Sequence, residues 1–310
     1  MRKIYLVIIL TLLNFSLQAQ QNPHFTQYMY NMNIVNPAYA GSKESISGGL
    51  LYRQQWVGLD GAPTSATLAI HSPLGKNVGL GLSVLSDKIG PVDEKNVNLD
   101  FSYTLKLGDE SRLSFGIKTG AVLHRIGLFS DIGNGYTVQQ GDISFSENSS
   151  TINLNLGSGV FFHNEKYYAA FSVPNMLNNK YLDITNNGQA YKFGSTTQHY
   201  FLTSGYVFDL SDNTKFKPSV MLKSAFKAPI SIDFSANFLF FEKFEAGATY
   251  RLSDSYGAMV NYTVTPNIRI GYAYDHIISE LKTTAPASHE IMILFDLNLP
   301  KKVSISPRFF

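Results

Sequence analysis

Residues 96–107 read Asn-Val-Asn-Leu-Asp-Phe-Ser-Tyr-Thr-Leu-Lys-Leu, a nearly unbroken alternation. Val97, Leu99, Phe101, Tyr103, Leu105 and Leu107 take one face; Asn98, Asp100, Ser102, Thr104 and Lys106 take the other. Period two is the signature of a strand with two chemically different faces. The pattern recurs along the chain, as in Ile230-Ser-Ile-Asp-Phe-Ser-Ala-Asn-Phe-Leu-Phe240 and Ile268-Arg-Ile-Gly-Tyr-Ala-Tyr-Asp275. It predicts fourteen strands, near 45–56, 64–74, 77–87, 96–107, 111–124, 151–163, 166–174, 198–210, 215–225, 229–241, 243–253, 255–265, 266–276 and 288–298.

Where the apolar faces go is decided by what surrounds them. Charged residues make up 15% of the chain, against about 25% in an ordinary soluble domain. The polar faces are mostly Ser, Thr, Asn and Gly, whereas a secreted β-sandwich would solvate them with Lys and Glu. A sandwich would also need guarded sheet edges, and edge-type Pro and Lys are missing here. The connections alternate in length. Gly75-Lys76, Gly108–Glu110, Asn164-Glu165, Ser211–Thr214 and Glu242-Lys243 are short; 125–150 and 175–197 are long. An even number of strands of about ten residues, with short and long connections in turn, predicts an all-β fold: a transmembrane antiparallel up-and-down β-barrel of the outer-membrane type. Its apolar faces meet the lipid bilayer, its short turns lie in the periplasm and its long loops lie outside.

The start of the chain agrees with export. Arg2 and Lys3 precede an apolar run from Ile4 to Leu13, and Ser16–Ala19 follow, the pattern of a signal peptide cleaved after Ala19. The chain has no Cys, which excludes disulfides, thiolate metal sites and a lipidated N-terminal Cys. The expected organisation is a signal peptide (1–19), a periplasmic or plug segment (20–44), a barrel (45–298) and a periplasmic tail (299–310).

The hairpin at 229–253 carries a register. Matching outward face to outward face across a turn at Phe241-Glu242-Lys243 sets Phe240 opposite Phe244, Phe234 opposite Tyr250 and Asp233 opposite Arg251. The last two form an inward charge pair, worth about 0.2–1 kcal/mol as a cross-strand contact. Other inward charges, Arg53, Asp100, Lys106, Lys118, Glu245, Arg269 and Asp275, are mixed in sign, against a strongly charge-selective pore.

Signatures of chemistry are sparse. The seven His residues show no metal-ligand spacing, and G-x-S-x-G and phosphate-loop patterns are absent. Gly79-Leu-Gly81 and Gly157-Ser-Gly159 fall inside strands, where they let an inner segment approach the wall. No catalytic residue, metal or cofactor is expected, and a net charge of +2 without a basic block excludes nucleic acid as a partner. Asp131, Asp142, Glu147 and Asp183 lack calcium-loop spacing.

Two stretches depart from a plain barrel. Residues 21–41 are rich in Asn, Tyr and Met, too aromatic for a disordered leader. They are suited to pack against something, either the barrel lumen as a plug or a partner. Phe25, Gln27, Tyr28, Met29, Asn36, Pro37, Tyr39 and Gly41 are the candidate contacts. The second stretch, 52–75, places Trp56 at a strand end as a girdle residue and shapes a tight loop with Gly58, Gly61 and Pro63; Arg53 and Gln55 belong to the same motif.

Phe25-Thr-Gln-Tyr-Met29 followed by Asn36-Pro-Ala-Tyr-Ala-Gly41 resembles the start of the PorP/SprF family. The resemblance continues through Tyr52-Arg-Gln-Gln-Trp-Val-Gly58, Gly61-Ala-Pro63, His71-Ser-Pro-Leu74, Asp87-Lys-Ile-Gly-Pro91 and Ser172-Val-Pro-Asn175. Gly271-Tyr-Ala-Tyr-Asp275, His289-Glu-Ile291 and the closing Ser306-Pro-Arg-Phe-Phe310 complete it, so it covers nearly all of the mature chain. The resemblance implies an outer-membrane barrel of the type IX secretion system. Such a barrel either partners one secreted adhesin-like protein, aiding its export and anchoring its C-terminal domain, or joins the periplasmic secretion machinery. Phe129, Asp131, Tyr136 and Asp142 in one long loop, with Tyr181 and Tyr191 in the other, are the candidate cargo contacts. A fourteen-stranded small-solute or lipid transporter is the competing reading, and a barrel hydrolase a distant third.

Overall fold

The structure, a computed structural model, describes residues 23–43, 45–127, 149–178, 180–186, 189–195, 197–225 and 228–297. Strands run in chain order as β1 (Ile46–Gln54), β2 (Thr64–Leu74), β3 (Val78–Ile89), β4 (Val92–Leu107), β5 (Ser111–Ile126) and β6 (Ser149–His163). They continue as β7 (Tyr167–Val173), β8 (Lys180–Asn186), β9 (Gln189–Ser195), β10 (His199–Tyr206), β11 (Phe208–Ser211) and β12 (Thr214–Ala225). The last are β13 (Ser231–Phe240), β14 (Phe244–Arg251), β15 (Ser255–Thr265), β16 (Ile268–Ile277) and β17 (Ala287–Leu297).

Every ladder is antiparallel, and the sheet closes on itself. β1 pairs with both β2 and β17, and β12 pairs with both β13 and the β10–β11 run. β10 and β11 are one wall strand broken at Val207, which gives a closed ring of fourteen, as the alternation predicts. Closure removes the unpaired edges that an open sheet of this size would expose.

The burial pattern is that of a soluble protein turned inside out. Along β4, Leu99 is 62% exposed on the outer face, while its neighbour Asp100 is 1% exposed in the lumen. The same outer band carries Phe115 and Ile117 on β5, Phe234 and Phe238 on β13, and Ile291 and Ile293 on β17. With water outside, this surface would be an aggregation hazard; against lipid hydrocarbon it is the stable arrangement. At the short-turn end, outward rings follow one another from Tyr167 through Tyr206, Phe208, Phe216, Phe238 and Phe240 to Phe244, with centroids 4.4 to 6.4 Å apart. These rings form a girdle at one membrane interface.

The hairpin register places Phe240 opposite Phe244, Phe234 opposite Tyr250 and Asp233 opposite Arg251. The turn that sets it holds Phe241 and Glu242 at φ +52° and +53°, the left-handed geometry of a tight hairpin. The connection expected to be a plain loop at 175–197 instead carries a second small sheet, the β8–β9 hairpin.

Candidate functional site

The inward polar face of a barrel this narrow must find partners, because water cannot satisfy every group. Here residues 23–43 supply them. The segment folds as two short 3-10 turns, Tyr28–Tyr30 and Pro37–Tyr39, around a helical turn at Met32–Val35. Phe25, Gln27, Tyr28, Met29, Asn36, Pro37 and Tyr39 are all buried inside the ring, and Gly41 is half-buried beside Pro73 and Gly79. These side chains pack against the barrel's own wall.

Inward charges act as sockets for the segment. At β1, β16 and β17, Arg53 pairs with Asp275 at 2.7 Å and with Glu290 at 3.3 Å. Into this group Thr26 donates its hydroxyl to Asp275 at 2.6 Å, and Thr26 and Gln27 donate backbone N–H groups to the two oxygens of Glu290 at 2.9 and 2.8 Å. On β4 and β5, Lys118 pairs with Asp100 at 2.7 Å, and Asn33 donates to the same carboxylate at 3.0 Å. On β12 and β14, Lys217 pairs with Glu245 at 2.9 Å; Tyr30 donates to Glu245 and accepts from Lys217 at 3.0 Å. At the short-turn end Lys43 meets Asp296 at 3.2 Å. Of the charges expected inside, Arg53, Asp100, Lys118, Glu245 and Asp275 are partnered locally and bind the segment, whereas Lys106 is exposed near the short-turn end of β4.

Close approach of the segment explains Gly79, Gly116 and, against the Asn36 side chain, Gly159, whereas Gly157 faces the Pro174 backbone beside β7. A Cβ on Gly79 would collide with the Ala40 carbonyl, and one on Gly116 with the backbone at Pro37-Ala38. Ser102 Oγ donates to the Ala40 carbonyl at 2.5 Å, and Gly41 N–H donates to His71 Nδ1 at 3.2 Å.

Asp233 and Arg251 form a two-pronged pair, Nε to Oδ1 at 2.8 Å and a second guanidinium nitrogen to Oδ2 at 3.2 Å. Their side chains are 7% and 8% exposed, so the contact is buried more deeply than the exposed cross-strand value assumes.

Above the segment, toward the long connections, lies a cavity of about 290 Å³. Its floor is Pro23, Phe25, Ile34 and Val35, and its wall includes Asp87, Glu94, Asn155 and His199. The mouth is braced by the 52–63 motif. Gln55 N–H donates to the Pro63 carbonyl at 2.9 Å, Trp56 N–H to Ser288 Oγ at 3.1 Å, and Gly90 N–H to the Gly61 carbonyl at 2.9 Å. Trp56 lies past the end of β1 at φ +54°, and Gly58 and Gly61 take φ +99° and +72° in the loop that follows. Beside the mouth, Asn175 bridges wall segments, donating to the Thr197 carbonyl at 2.9 Å and accepting from His199 N–H at 3.3 Å. The Ser-Val-Pro-Asn motif points there, though alternation alone does not.

Tyr181 lies on β8 and Tyr191 on β9, opposite Ile184. Phe129, Asp131, Tyr136 and Asp142 fall outside the described residues. Among the described residues, no group of three or more His, Asp or Glu is placed to hold a metal ion.

Comparison with known structures returns other bacterial barrels. The chain is similar to the CymD monoaromatic hydrocarbon channel, at 11% identity and TM-score 0.52, covering 89% of this chain and 93% of that one. It is similar also to the toluene transporter TodX of P. putida, at 8% identity and TM-score 0.50, covering 88% and 95%. At such identities the likeness is one of fold. Curated proteins give no match. The model of the family described as "Type IX secretion system membrane protein PorP/SprF" matches residues 17–295. With that match spanning all of the barrel but its last two residues and the segment within it, the chain is an outer-membrane protein belonging to the PorP/SprF family.

Proposed function

We propose that this barrel is a receptor for a secreted polypeptide, aiding its export and holding its C-terminal domain at the cell surface. One observation carries the reading: the lumen is filled by residues 23–43, anchored at four charged sites, while the cavity above them faces the long connections. A filled lumen suits a docking platform better than a conduit. The long connections at 125–150 and 175–197, with Phe129, Asp131, Tyr136, Asp142, Tyr181 and Tyr191, provide the gripping surface. The periplasmic end, with the tail at 299–310, meets the secretion machinery.

A second reading is uptake of a small hydrophobic solute. The apolar floor of the cavity favours it, as does a wall of the kind seen in the hydrocarbon channel and the toluene transporter. At about 290 Å³ the cavity lies at the small end of ligand sites.

The test is an affinity pull-down of the tagged protein from detergent-solubilised outer membranes, with bound proteins identified by mass spectrometry. One large secreted protein, lost when 125–150 or 175–197 is replaced, supports the receptor. Recovery of periplasmic components alone moves the protein into the secretion core. A barrel recovered alone, yet able to take up toluene in liposomes, establishes the transporter.

A further inference from the structure

The outward face of β3–β5 changes character at one level. On β4 every outward position from Leu107, at the short-turn end, to Val97 is apolar or aromatic. Those two residues are ten positions apart, a rise of about 33 Å along a strand. At a tilt of about 40° this is about 25 Å along the membrane normal, the height of the lipid-facing band in such barrels. The next outward residue is Lys95. On β5 the matching run from Leu113 to Leu123 is followed by Arg125, and Lys88 on β3 completes the group. All three cations are exposed. They stand just past the apolar band at the long-connection end, which is external in such barrels. The turn at Gly90-Pro91 comes two residues after Lys88, so the group sits at head-group level rather than far out in water.

Strand register gathers these charges. Asp93 lies directly opposite Lys88 on one side and Arg125 on the other, and Lys95 Nζ is 3.6 Å from its carboxylate. Three cations thus share one carboxylate. At the same end of the ring, β1, β14 and β15 present Tyr52, Tyr250 and Tyr256 outward instead. We infer that the outward arc of β3–β5 binds a phosphorylated lipid of the outer leaflet. Lys88, Lys95 and Arg125 hold the phosphate, and the acyl chains lie on Val84, Val97 and Leu123 beneath them. Ammonium and guanidinium groups bind phosphate through charge-assisted hydrogen bonds. Their aliphatic stems lie along apolar surface while the charged heads reach the interface. The apolar rows directly below the cations commit the site to a lipid rather than to a soluble anion. The inference stands independently of the receptor reading.

The test is native mass spectrometry of the barrel, purified from outer membranes in non-ionic detergent and titrated with diphosphoryl lipid A. The parent is expected to retain the lipid, and K88S/K95S/R125S to bind it at least about tenfold more weakly. D93N, which removes the competing carboxylate, is expected to bind more tightly, a gain that no loss of folding would produce. K76S/K243S, in two short turns at the other end, is expected to match the parent. Lipid A stripped of its phosphates is expected to bind the parent as weakly as the triple variant binds the intact lipid. Equal binding by the parent and the triple variant, weaker binding by D93N, or undiminished binding of the stripped lipid would overturn the inference. Displacement of the lipid by inorganic phosphate alone would make this a site for a free anion and overturn it as well.

Discussion

Thr26 and Glu290, 264 positions apart in the chain, are joined by a backbone N–H donated to Oε2 at 2.9 Å. The neighbouring Gln27 N–H takes the other oxygen at 2.8 Å, so one buried carboxylate holds two successive amides of the lumenal segment. Arg53 balances its charge from the adjacent strand. Breaking a buried pair by removing one partner typically costs about 3–5 kcal/mol. Arg53→Ala strands both Asp275 and Glu290 and is expected to fall in that range. The temperature at which the barrel loses its folded gel mobility measures it; an unchanged temperature would show that the socket contributes nothing.

The pair Asp233–Arg251 predicts a double-mutant cycle. Arg251→Ala leaves Asp233 buried with a charge and is expected to cost about 3–5 kcal/mol. The double replacement Asp233→Ala/Arg251→Ala is expected to cost less than the two single changes added together. Additivity within about 0.5 kcal/mol would mean the two groups are not coupled.

Lys166 and Asp209 provide the contrast. They lie 2.8 Å apart but are 54% and 46% exposed. An exposed pair contributes little, about 0–1 kcal/mol, and is screened by salt. Lys166→Ala is expected to leave the unfolding temperature within error of the parent at physiological salt.

Gly116 predicts a gain of conductance. A leucine there cannot coexist with the backbone at Pro37-Ala38 without moving the segment from the wall. The parent barrel is expected to be closed in a planar bilayer and Gly116→Leu to show single-channel openings. A variant that folds and stays closed would show that the segment yields without leaving the lumen.

Asn175→Ala removes two of the bonds that tie the chain just past β7 to residues 197–199, leaving the one from Gln198 Nε2 to the Met176 carbonyl. The Thr197 carbonyl keeps its bond to His199 Nδ1 at 2.8 Å, while the His199 amide loses its partner at a cost of about 1–3 kcal/mol where water cannot replace Asn175. Faster proteolysis between residues 176 and 198, with the rest of the barrel protected, is the expected result.

Much of this was legible in the sequence. The alternation at 96–107 gives β4 and its orientation, because a two-faced strand between lipid and a polar lumen leaves each residue little choice. The register at Phe240–Phe244 follows from the turn length for the same reason. The β8–β9 hairpin is harder to see. Asn186-Asn187-Gly188 is a turn signal and Leu182, Ile184, Tyr191 and Phe193 alternate, but the strands are seven residues each and fall inside a long connection of the barrel. Four residues at the top of β4, Val92–Lys95, carry charge and read as loop, yet they pair on both sides with β3 and β5. The aromatic character of 21–41 announces packing, but not its direction. Only the partners show it: His24 at Lys223 and Lys43 at Asp296, at opposite ends of the barrel.

The socket around Glu290 also bears on how the barrel is put together. Arg53 belongs to β1 and Glu290 to β17, the two strands whose pairing closes the ring, and Thr26 bridges them from within. The strand that closes the ring against β1 therefore carries the group that fastens the lumenal segment. The seam of the ring and the seat of the segment thus depend on the same carboxylate and guanidinium.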